Sequence, residues 1–397
     1  MTKYDSNAPV QFSRGTYRIV DDANFNFQLN RVIFWDGGDG DEVCRECGGI
    51  KTSEDWIRTL TALEEKAHSE GRTQNEIAYA RMAEFFMYDS DPKKKIQYEK
   101  AAELFYEYYA DYFESGRVRR ERVPFDHNGK KIQLPVMVAK SEANGGGKAS
   151  CSLLLHGGND SYFEELFFPM LYLSQAGFDV YLFEGPGQGG VLRVQDAKFS
   201  HEWEKPVSTI LDFFHLENAA IIGVSLGGYL APRAAAFEKR ITKVIAWSIF
   251  PDFFHVVLSD HPGNVASFIE KILSSPVKGI MNGFYKKMMK DNELVRWNLL
   301  HGMYAYDAKT PMEYIDRIRK FTLHGIADKI TQDVLVLGAK EDHFINPRLF
   351  HEEYDLLTNA KSLTLRLFSE KDDAGGHCNV GNSKKVLDAM ISWLMEE

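Results

Sequence analysis

Residues 220–230 of this 397-residue chain read Ala-Ile-Ile-Gly-Val-Ser-Leu-Gly-Gly-Tyr-Leu and contain the pentapeptide Gly-x-Ser-x-Gly. The apolar run before the pentapeptide is typical of a buried β-strand, and the run after it is typical of a helix. A serine on such a sharp strand-to-helix turn exposes its hydroxyl above the sheet, and the flanking glycines avoid a collision between a Cβ and the neighbouring backbone. The stretch therefore predicts that Ser225 is a nucleophile.

A histidine base and an orienting carboxylate follow later in the chain, as an activated serine requires. Residues 333–338 predict a buried strand, and the loop after it carries Asp342, our first choice for the acid, with Glu341 as the fallback. His377 lies in a glycine-rich turn before the last amphipathic segment and is the predicted base. The order serine, aspartate, histidine is the one that α/β-hydrolases use.

Backbone N–H groups that could stabilise an oxyanion are predicted at two places. Residues 151–160 contain an apolar strand that ends in His-Gly-Gly-Asn-Asp, where the glycines permit close approach of the backbone. We assign one donor to the N–H of Leu226, which follows the nucleophile, and the other to the N–H of Gly158, with an uncertainty of one residue.

Three further residues compete for roles in such a site. His343 and His255 are alternatives to His377, although a lone histidine beside a strand end is more often structural. Asp252 follows the strand that ends near residue 250. It either caps the next helix, which is the favoured interpretation, or serves as an accessory acid.

Several blocks of the sequence resemble successive motifs of one α/β-hydrolase subgroup, which includes 2,6-dihydroxypseudooxynicotine hydrolase and the fungal polyketide-shortening hydrolases of pigment biosynthesis. The resemblance covers roughly residues 120–397. Glu184 departs from it, because an aspartate is expected before Gly-Pro-Gly-Gln-Gly. The blocks that carry the resemblance are residues 156–165, 183–189, 203–204, 225–235 and 376–381.

The resemblance implies an α/β-hydrolase fold and a serine hydrolase that attacks a carbonyl group. It also implies C–C bond hydrolysis of an aryl or polyketide-like β-dicarbonyl compound. A carboxylesterase, thioesterase or peptidase with the same three residues stays open as an alternative, and so does a catalytically silent binding protein, because a fold does not determine a function.

The pattern of apolar runs divides the chain in two. Residues 1–120 have helical periodicity and predict a helical N-terminal cap. Residues 121–397 alternate strands with helices and predict a catalytic domain with a mostly parallel sheet, helices on both faces, and a helical insertion at about 253–330. Aromatic side chains are frequent in the cap and favour an apolar or aromatic substrate, although most such stripes belong to a core.

Composition limits the partners of the chain. The net charge of −10 argues against nucleic acid and against anionic membrane surfaces as partners. The chain has no apolar run of membrane-spanning length, and its N-terminus lacks the apolar core of a signal peptide, so we expect a cytoplasmic protein. We expect a small-molecule substrate and no cofactor, and leave open whether two copies form a homodimer.

The four cysteines do not resemble a disulfide framework. Cys44 and Cys47 form a single Cys-x-x-Cys, which is a weak zinc or redox signal without a second pair of ligands. We expect two ordinary thiols in a loop rich in glycine and aspartate, and no metal.

Overall fold

One mostly parallel sheet determines where the candidate site residues lie. The structure is a computed structural model and describes residues 4–141, 149–259, 263–275 and 278–396. Within these ranges the strands are β1 (Val118–His127), β2 (Lys130–Ala139), β3 (Ser152–His156), β4 (Asp179–Phe183), β5 (Ala219–Val224), β6 (Ile241–Trp247), β7 (Asp333–Ala339) and β8 (Ser362–Phe368).

The eight strands lie side by side in the order β1-β2-β4-β3-β5-β6-β7-β8. The hairpin of β1 and β2 is antiparallel, and β2 also pairs antiparallel with β4. All other neighbours are parallel, so the carboxyl ends of β3, β5, β6 and β7 meet at one edge of the sheet. The topology confirms the predicted fold class.

The central strands are apolar along most of their length, and β5 throughout, because both faces of the sheet are covered. Successive side chains of a strand point to opposite faces, and here they enter different cores. Leu154 and Ile221 belong to one core, whereas Leu153, Leu155 and Ile222 belong to the other.

Helices of the second half of the chain cover both faces. Helices α9 and α10 pack on one face and α7 and α17 on the other. Their bounds, with those of the helices between them, are α7 (Phe167–Gln175), α8 (Gly189–Arg193), α9 (Glu204–Phe213), α10 (Gly227–Phe237), α11 (Phe253–Leu258), α12 (Gly263–Leu273), α13 (Met281–Asp291), α14 (Glu293–Ala305), α15 (Pro311–Ile318), α16 (Leu349–Leu356) and α17 (Ser383–Leu394).

The N-terminal segment contains helices that enclose a third core. Phe25, Trp56 and Phe86 are buried in this core, and Trp297 and Val380 from the second half of the chain join it. The division into a cap and a catalytic domain stays a prediction. The helices are α1 (Ala23–Phe34), α2 (Gly40–Glu46), α3 (Ser53–Ser69), α4 (Thr73–Phe85), α5 (Pro92–Tyr108) and α6 (Ala110–Glu114).

No helix in the described ranges combines the length and the apolar character that crossing a bilayer requires.

The Cys-x-x-Cys pair lies on a helix and not in the predicted loop. Cys44 is in the last turn of α2, and Cys47 is its C-cap residue. All four cysteines are free thiols. Burial raises the pKa of Cys47 to about 12, so this sulfur stays protonated at neutral pH.

A buried ion network joins the N-terminal helices to the loop after β3. Glu165 accepts two hydrogen bonds from Arg31, at 2.7 and 2.8 Å, and a third from Arg81 at 3.2 Å. Arg81 also donates to Asp36. The side chains of all four residues are at most 6% exposed. Each charge is therefore compensated by a partner that another segment of the chain provides.

Replacement of Glu165 by alanine should destabilise the protein strongly. The change leaves the guanidinium groups of Arg31 and Arg81 buried without the carboxylate that neutralises them. Breaking a buried ion pair in this way lowers the free energy of unfolding by about 3–5 kcal/mol. Urea unfolding followed by tryptophan fluorescence measures the loss. Glu103→Ala at an exposed position of α5 is the matched control and should change the free energy of unfolding by less than about 0.5 kcal/mol. Equal stability of the two variants would contradict the prediction.

Candidate active site

The turn between β5 and α10 has the strained geometry that its sequence predicts. Ser225 adopts φ 60°, in the left-handed region that side chains rarely occupy. Its N–H donates to the carbonyl of Trp247 at 3.1 Å, which anchors the turn to the end of β6. A Cβ on Gly223 would lie 2.2 Å from the Gly227 carbonyl oxygen, and a Cβ on Gly228 would lie 2.4 Å from the Ser248 carbonyl oxygen. Both positions therefore require glycine.

The structure brings Ser225, His377 and Asp342 together in one chain of hydrogen bonds. The Ser225 Oγ lies 2.9 Å from His377 Nε2. The other ring nitrogen, Nδ1, lies 2.8 Å from Asp342 Oδ2. The second carboxylate oxygen accepts the N–H groups of Phe344 and Ile345 at 2.8 and 3.0 Å, which fixes its orientation. With Nδ1–H donated to the carboxylate, Nε2 is left to accept the serine proton.

The carboxylate controls the charge of the imidazole. Burial opposes a positive charge on His377, but the nearby Asp342 outweighs it, and the pKa of His377 lies well above its ordinary value. Burial would likewise raise the pKa of Asp342, yet the imidazole and the two backbone N–H groups hold it below its ordinary range. Asp342 therefore stays ionised and supports an imidazolium.

Asn379 secures the loop that carries His377. Its side chain accepts a hydrogen bond from Trp247 Nε1 at 3.0 Å and donates to the Ala374 carbonyl at 2.7 Å. Cys378 and Asn379 both have positive φ, of 50° and 57°. Sequence reasoning quoted this asparagine within a motif but gave it no role, because nothing in the local pattern shows that it contacts the distant β6.

The loop after β3 lies beside the nucleophile, but one predicted donor is already engaged. A Cβ on Gly158 would lie 2.7 Å from the Leu226 nitrogen, so the two segments touch. The Gly158 N–H, however, donates to Ser161 Oγ at 2.9 Å. This contact corrects the assignment of Gly158 as an oxyanion donor. Among the described residues, the N–H groups of Leu226 and Asn159 meet no acceptor, and Asn159 lines the cavity.

Three side chains hold this loop in place. Gln188, from the Gly-Pro-Gly-Gln-Gly block, donates to the carbonyls of Gly157 and Gly158 at 2.8 and 3.0 Å. Tyr306 donates its hydroxyl to Asn159 Oδ1 at 2.6 Å, and Arg31 donates to the Asp160 carbonyl at 3.3 Å. The loop is thus supported by the sheet edge, the insertion and the N-terminal helices.

Glu184, the departure from the subgroup pattern, is fully buried beneath the same loop. It accepts the N–H groups of Phe163 and Gly190 at 3.2 and 2.9 Å. Burial and the neighbouring Glu164 raise its pKa to about 8. These contacts describe a structural role.

None of the alternative residues replaces His377 or Asp342 in this chain of hydrogen bonds, although His343 also lines the cavity. Glu341 accepts the backbone N–H of Glu370 at 3.1 Å. His255 contacts Glu352 at 2.7 Å, and the pKa of His343 is lowered to about 4, mainly by burial. Among these candidates, the hydrogen bond to Ser225 is made by His377.

Asp252 is the N-cap of α11, where its carboxylate accepts the N–H of His255 at 2.9 Å. It does not line the cavity that contains Ser225. The capping interpretation therefore describes its position, and the accessory-acid role does not fit it.

Asp252 also belongs to a group of possible metal ligands in the described part of the chain. Ligand atoms of Asp252, His255 and His324 lie within 4.8 Å of one another. The imidazoles of His255 and His324, however, both contact Glu352 Oε1 at 2.7 Å, which already satisfies these nitrogens. None of the three lines the cavity.

A cavity of about 470 Å³ opens above Ser225 and His377. Its wall comes from the N-terminal helices α1 and α4, the loop after β3, and helices α11, α13, α14 and α15. Of the aromatic residues in the predicted cap, Phe85 lines the cavity, whereas Phe105 and Tyr109 pack around Phe167. Residues of α1 that sequence reasoning did not select, including Phe27 and Arg31, contribute more of the wall.

Comparisons with known proteins agree with this architecture. The model of the alpha/beta hydrolase family matches residues 153–389, which include β4 to β8 and Ser225, Asp342 and His377.

Two curated relatives match along almost the whole chain. The hydrolase acrC of Aspergillus aculeatus is 27% identical over 94% of this chain and 96% of its own length. The 20-hydroxy-prefusarin hydrolase FUS2 of Gibberella moniliformis is 29% identical over 93% of this chain and 95% of its own length. Both names describe hydrolases.

Among solved structures, that of 2,6-dihydroxy-pseudo-oxynicotine hydrolase superposes with a TM-score of 0.62 and 19% identity, and covers 92% of this chain and 94% of its own. At this identity the likeness shows a common fold, and it extends over the N-terminal helices.

The ion pair between His377 and Asp342 predicts a measurable titration. In ¹H–¹⁵N spectra of the imidazole, the midpoint for His377 should lie above its ordinary value of 6.5, because the ionised Asp342 favours the imidazolium. Asp342→Asn removes this charge, so the midpoint should move to lower pH. Asp388→Asn on α17 removes a carboxylate elsewhere and should leave it unchanged. A His377 midpoint that is the same in the Asp342→Asn variant and in the wild type would contradict the interpretation.

Proposed function

This chain belongs to the α/β-hydrolase family, and from that premise we propose that it is a serine hydrolase with Ser225 as nucleophile, His377 as base and Asp342 as the orienting acid. The continuous hydrogen-bonded chain of these three side chains at the base of a large cavity carries the proposal. The family and its relatives support hydrolysis in general.

In the first half of the proposed reaction, His377 Nε2 takes the hydroxyl proton as Ser225 Oγ bonds to a substrate carbonyl carbon. The negative charge that develops on the carbonyl oxygen is stabilised by the N–H groups of Leu226 and Asn159. Asp342 stabilises the imidazolium without taking its proton.

We further propose that the bond broken is a C–C bond of a β-dicarbonyl compound. Collapse of the tetrahedral intermediate transfers the electron pair of that bond to the leaving carbon as an enolate, and the imidazolium of His377 returns its proton to this carbon. Water, deprotonated by His377, then cleaves the acyl-enzyme and releases a carboxylic acid. The overall change consumes one water and yields one acid and one ketone.

The composition of the cavity wall supports an apolar or aromatic, polyketide-like substrate. Large apolar side chains surround the opening above the serine, and such walls bind flat or aliphatic groups through apolar contact. They are Phe27, Trp35, Phe85, Phe250, Phe253 and Trp297. One curated relative is named for its action on 20-hydroxy-prefusarin, which agrees with a sizeable organic substrate.

Covalent labelling tests the nucleophile. A fluorophosphonate probe should modify the purified protein at Ser225, mapped by mass spectrometry, because only an activated hydroxyl attacks it quickly. Ser225→Ala should abolish the label, whereas Ser392→Ala at an exposed position of α17 should label like wild type. A folded wild-type protein that takes no label would support the silent binding protein instead.

Two substrate panels test the bond. Aryl β-diketones and matched aryl esters and thioesters should be compared by kcat/KM. We expect the β-diketones to be preferred, and His377→Ala to lower their turnover by roughly 10⁴-fold. If the esters or thioesters are preferred, the proposal of C–C hydrolysis is wrong and the enzyme is an esterase or thioesterase. The proposed roles of the three site residues would still hold.

A further inference from the structure

Besides His377, the cavity wall contains the imidazoles of His301 and His343, which the proposed reaction does not use. His301, on α14, lines the cavity and is 4% exposed. Its Nδ1 lies 2.9 Å from Oδ2 of Asp89, which belongs to the loop between α4 and α5. The N-terminal segment and the insertion thus each contribute one member of a buried carboxylate–imidazole pair.

The surroundings of Asp89 keep its carboxylate ionised. Burial alone would raise its pKa, but His301, Lys94 and Arg193 together hold it well below its ordinary range. An ionised carboxylate accepts the Nδ1–H of the imidazole, which leaves the lone pair of Nε2 as an acceptor. Glu84 balances the two nearby cations, since it lies 2.6 Å from Arg193 and 3.6 Å from Lys94.

The acceptor that this arrangement creates is unused. His301 Nε2 is buried and has no hydrogen-bond partner among the residues that the structure describes. A buried polar atom without a hydrogen-bond partner destabilises the folded protein. Proteins retain such atoms where a ligand or an ordered water supplies the missing hydrogen bond. The ring cannot easily turn away, because Trp297 stacks on it with a centroid distance of 5.2 Å and an angle of 10°.

The groups around this acceptor indicate what it binds. Trp297 and Phe85 stack on each other at 5.4 Å and also line the cavity, so a flat aromatic or conjugated ligand finds apolar contact there. An imidazole nitrogen with a free lone pair accepts a hydrogen bond best from an acidic hydroxyl, such as a phenol or an enol.

We propose that Asp89 and His301 form a hydroxyl-binding subsite in the active-site cavity, where His301 Nε2 accepts a hydrogen bond from a phenolic or enolic hydroxyl of the substrate. The inference rests on the proposed function, because it places the substrate in the cavity above Ser225. His301 contacts the substrate directly, and Asp89 is a positioning residue that fixes the tautomer of the imidazole.

A binding measurement with two matched probes tests the subsite without any reaction. The protein is the Ser225→Ala variant, and the probes are 6-acetyl-2-naphthol and 2-acetylnaphthalene, which differ by one hydroxyl. Isothermal titration should show the naphthol binding about 10-fold more tightly, as one buried hydrogen bond of this kind provides. Adding His301→Phe should abolish the preference, since phenylalanine keeps the ring beside Trp297 but has no acceptor.

The second probe shows whether the cavity of each variant is intact. With His301→Phe the affinity for 2-acetylnaphthalene should stay within about 2-fold of the parent, since this probe offers no hydrogen-bond donor. His255→Phe replaces a histidine outside the cavity wall and should keep the full preference for the naphthol.

A naphthol preference that survives His301→Phe would overturn the subsite, and so would a parent protein that binds the two probes equally or binds neither. No outcome depends on hydrolysis, because Ser225 is absent. Failure of the proposed nucleophile would appear in the labelling experiment, and failure of the subsite would appear here.

Discussion

A buried carboxylate shared by two arginines determines how the two halves of the chain meet. Glu165 lies just after the loop that follows β3, and Arg31 and Arg81 come from helices α1 and α4. Removing three charges from water is costly, and the cost is offset only when the partners keep close geometry. Since Arg31 also contacts Asp160 and lines the cavity, the same geometry sets the position of the cavity wall relative to the nucleophile.

Local sequence patterns predicted the parts of the site that local geometry creates. The turn at Ser225 follows from glycines within three residues of the serine, and the strand before it from an uninterrupted apolar run. Asp342 and His377 could be placed in loops because each follows a recognisable strand. The structure puts these three side chains in hydrogen-bond contact.

Contacts between distant segments were beyond the reach of such patterns. Gly158 was assigned as a donor because of its place after a strand, yet Ser161 takes up its N–H through a turn whose shape the sequence does not specify. The aromatic residues of the N-terminal segment were expected to belong mostly to a core, and Phe105 and Tyr109 do pack around Phe167. His301 and Asp89 are 212 positions apart, and neither belongs to a motif.

The third core has a consequence for how the protein is made. In this core, Phe85 and Phe86 of the N-terminal segment pack against Trp297. Val380, which follows His377 in the chain, also belongs to the core. Chains emerge from the ribosome N-terminus first at about 5–20 residues per second, so the roughly 290 residues between Phe86 and Val380 take about 15–60 s to synthesise. During that interval the apolar faces of the N-terminal helices are open to chaperones and to other nascent chains. The cavity, whose wall includes Asn24 and Cys378, closes only after residue 378 has been synthesised.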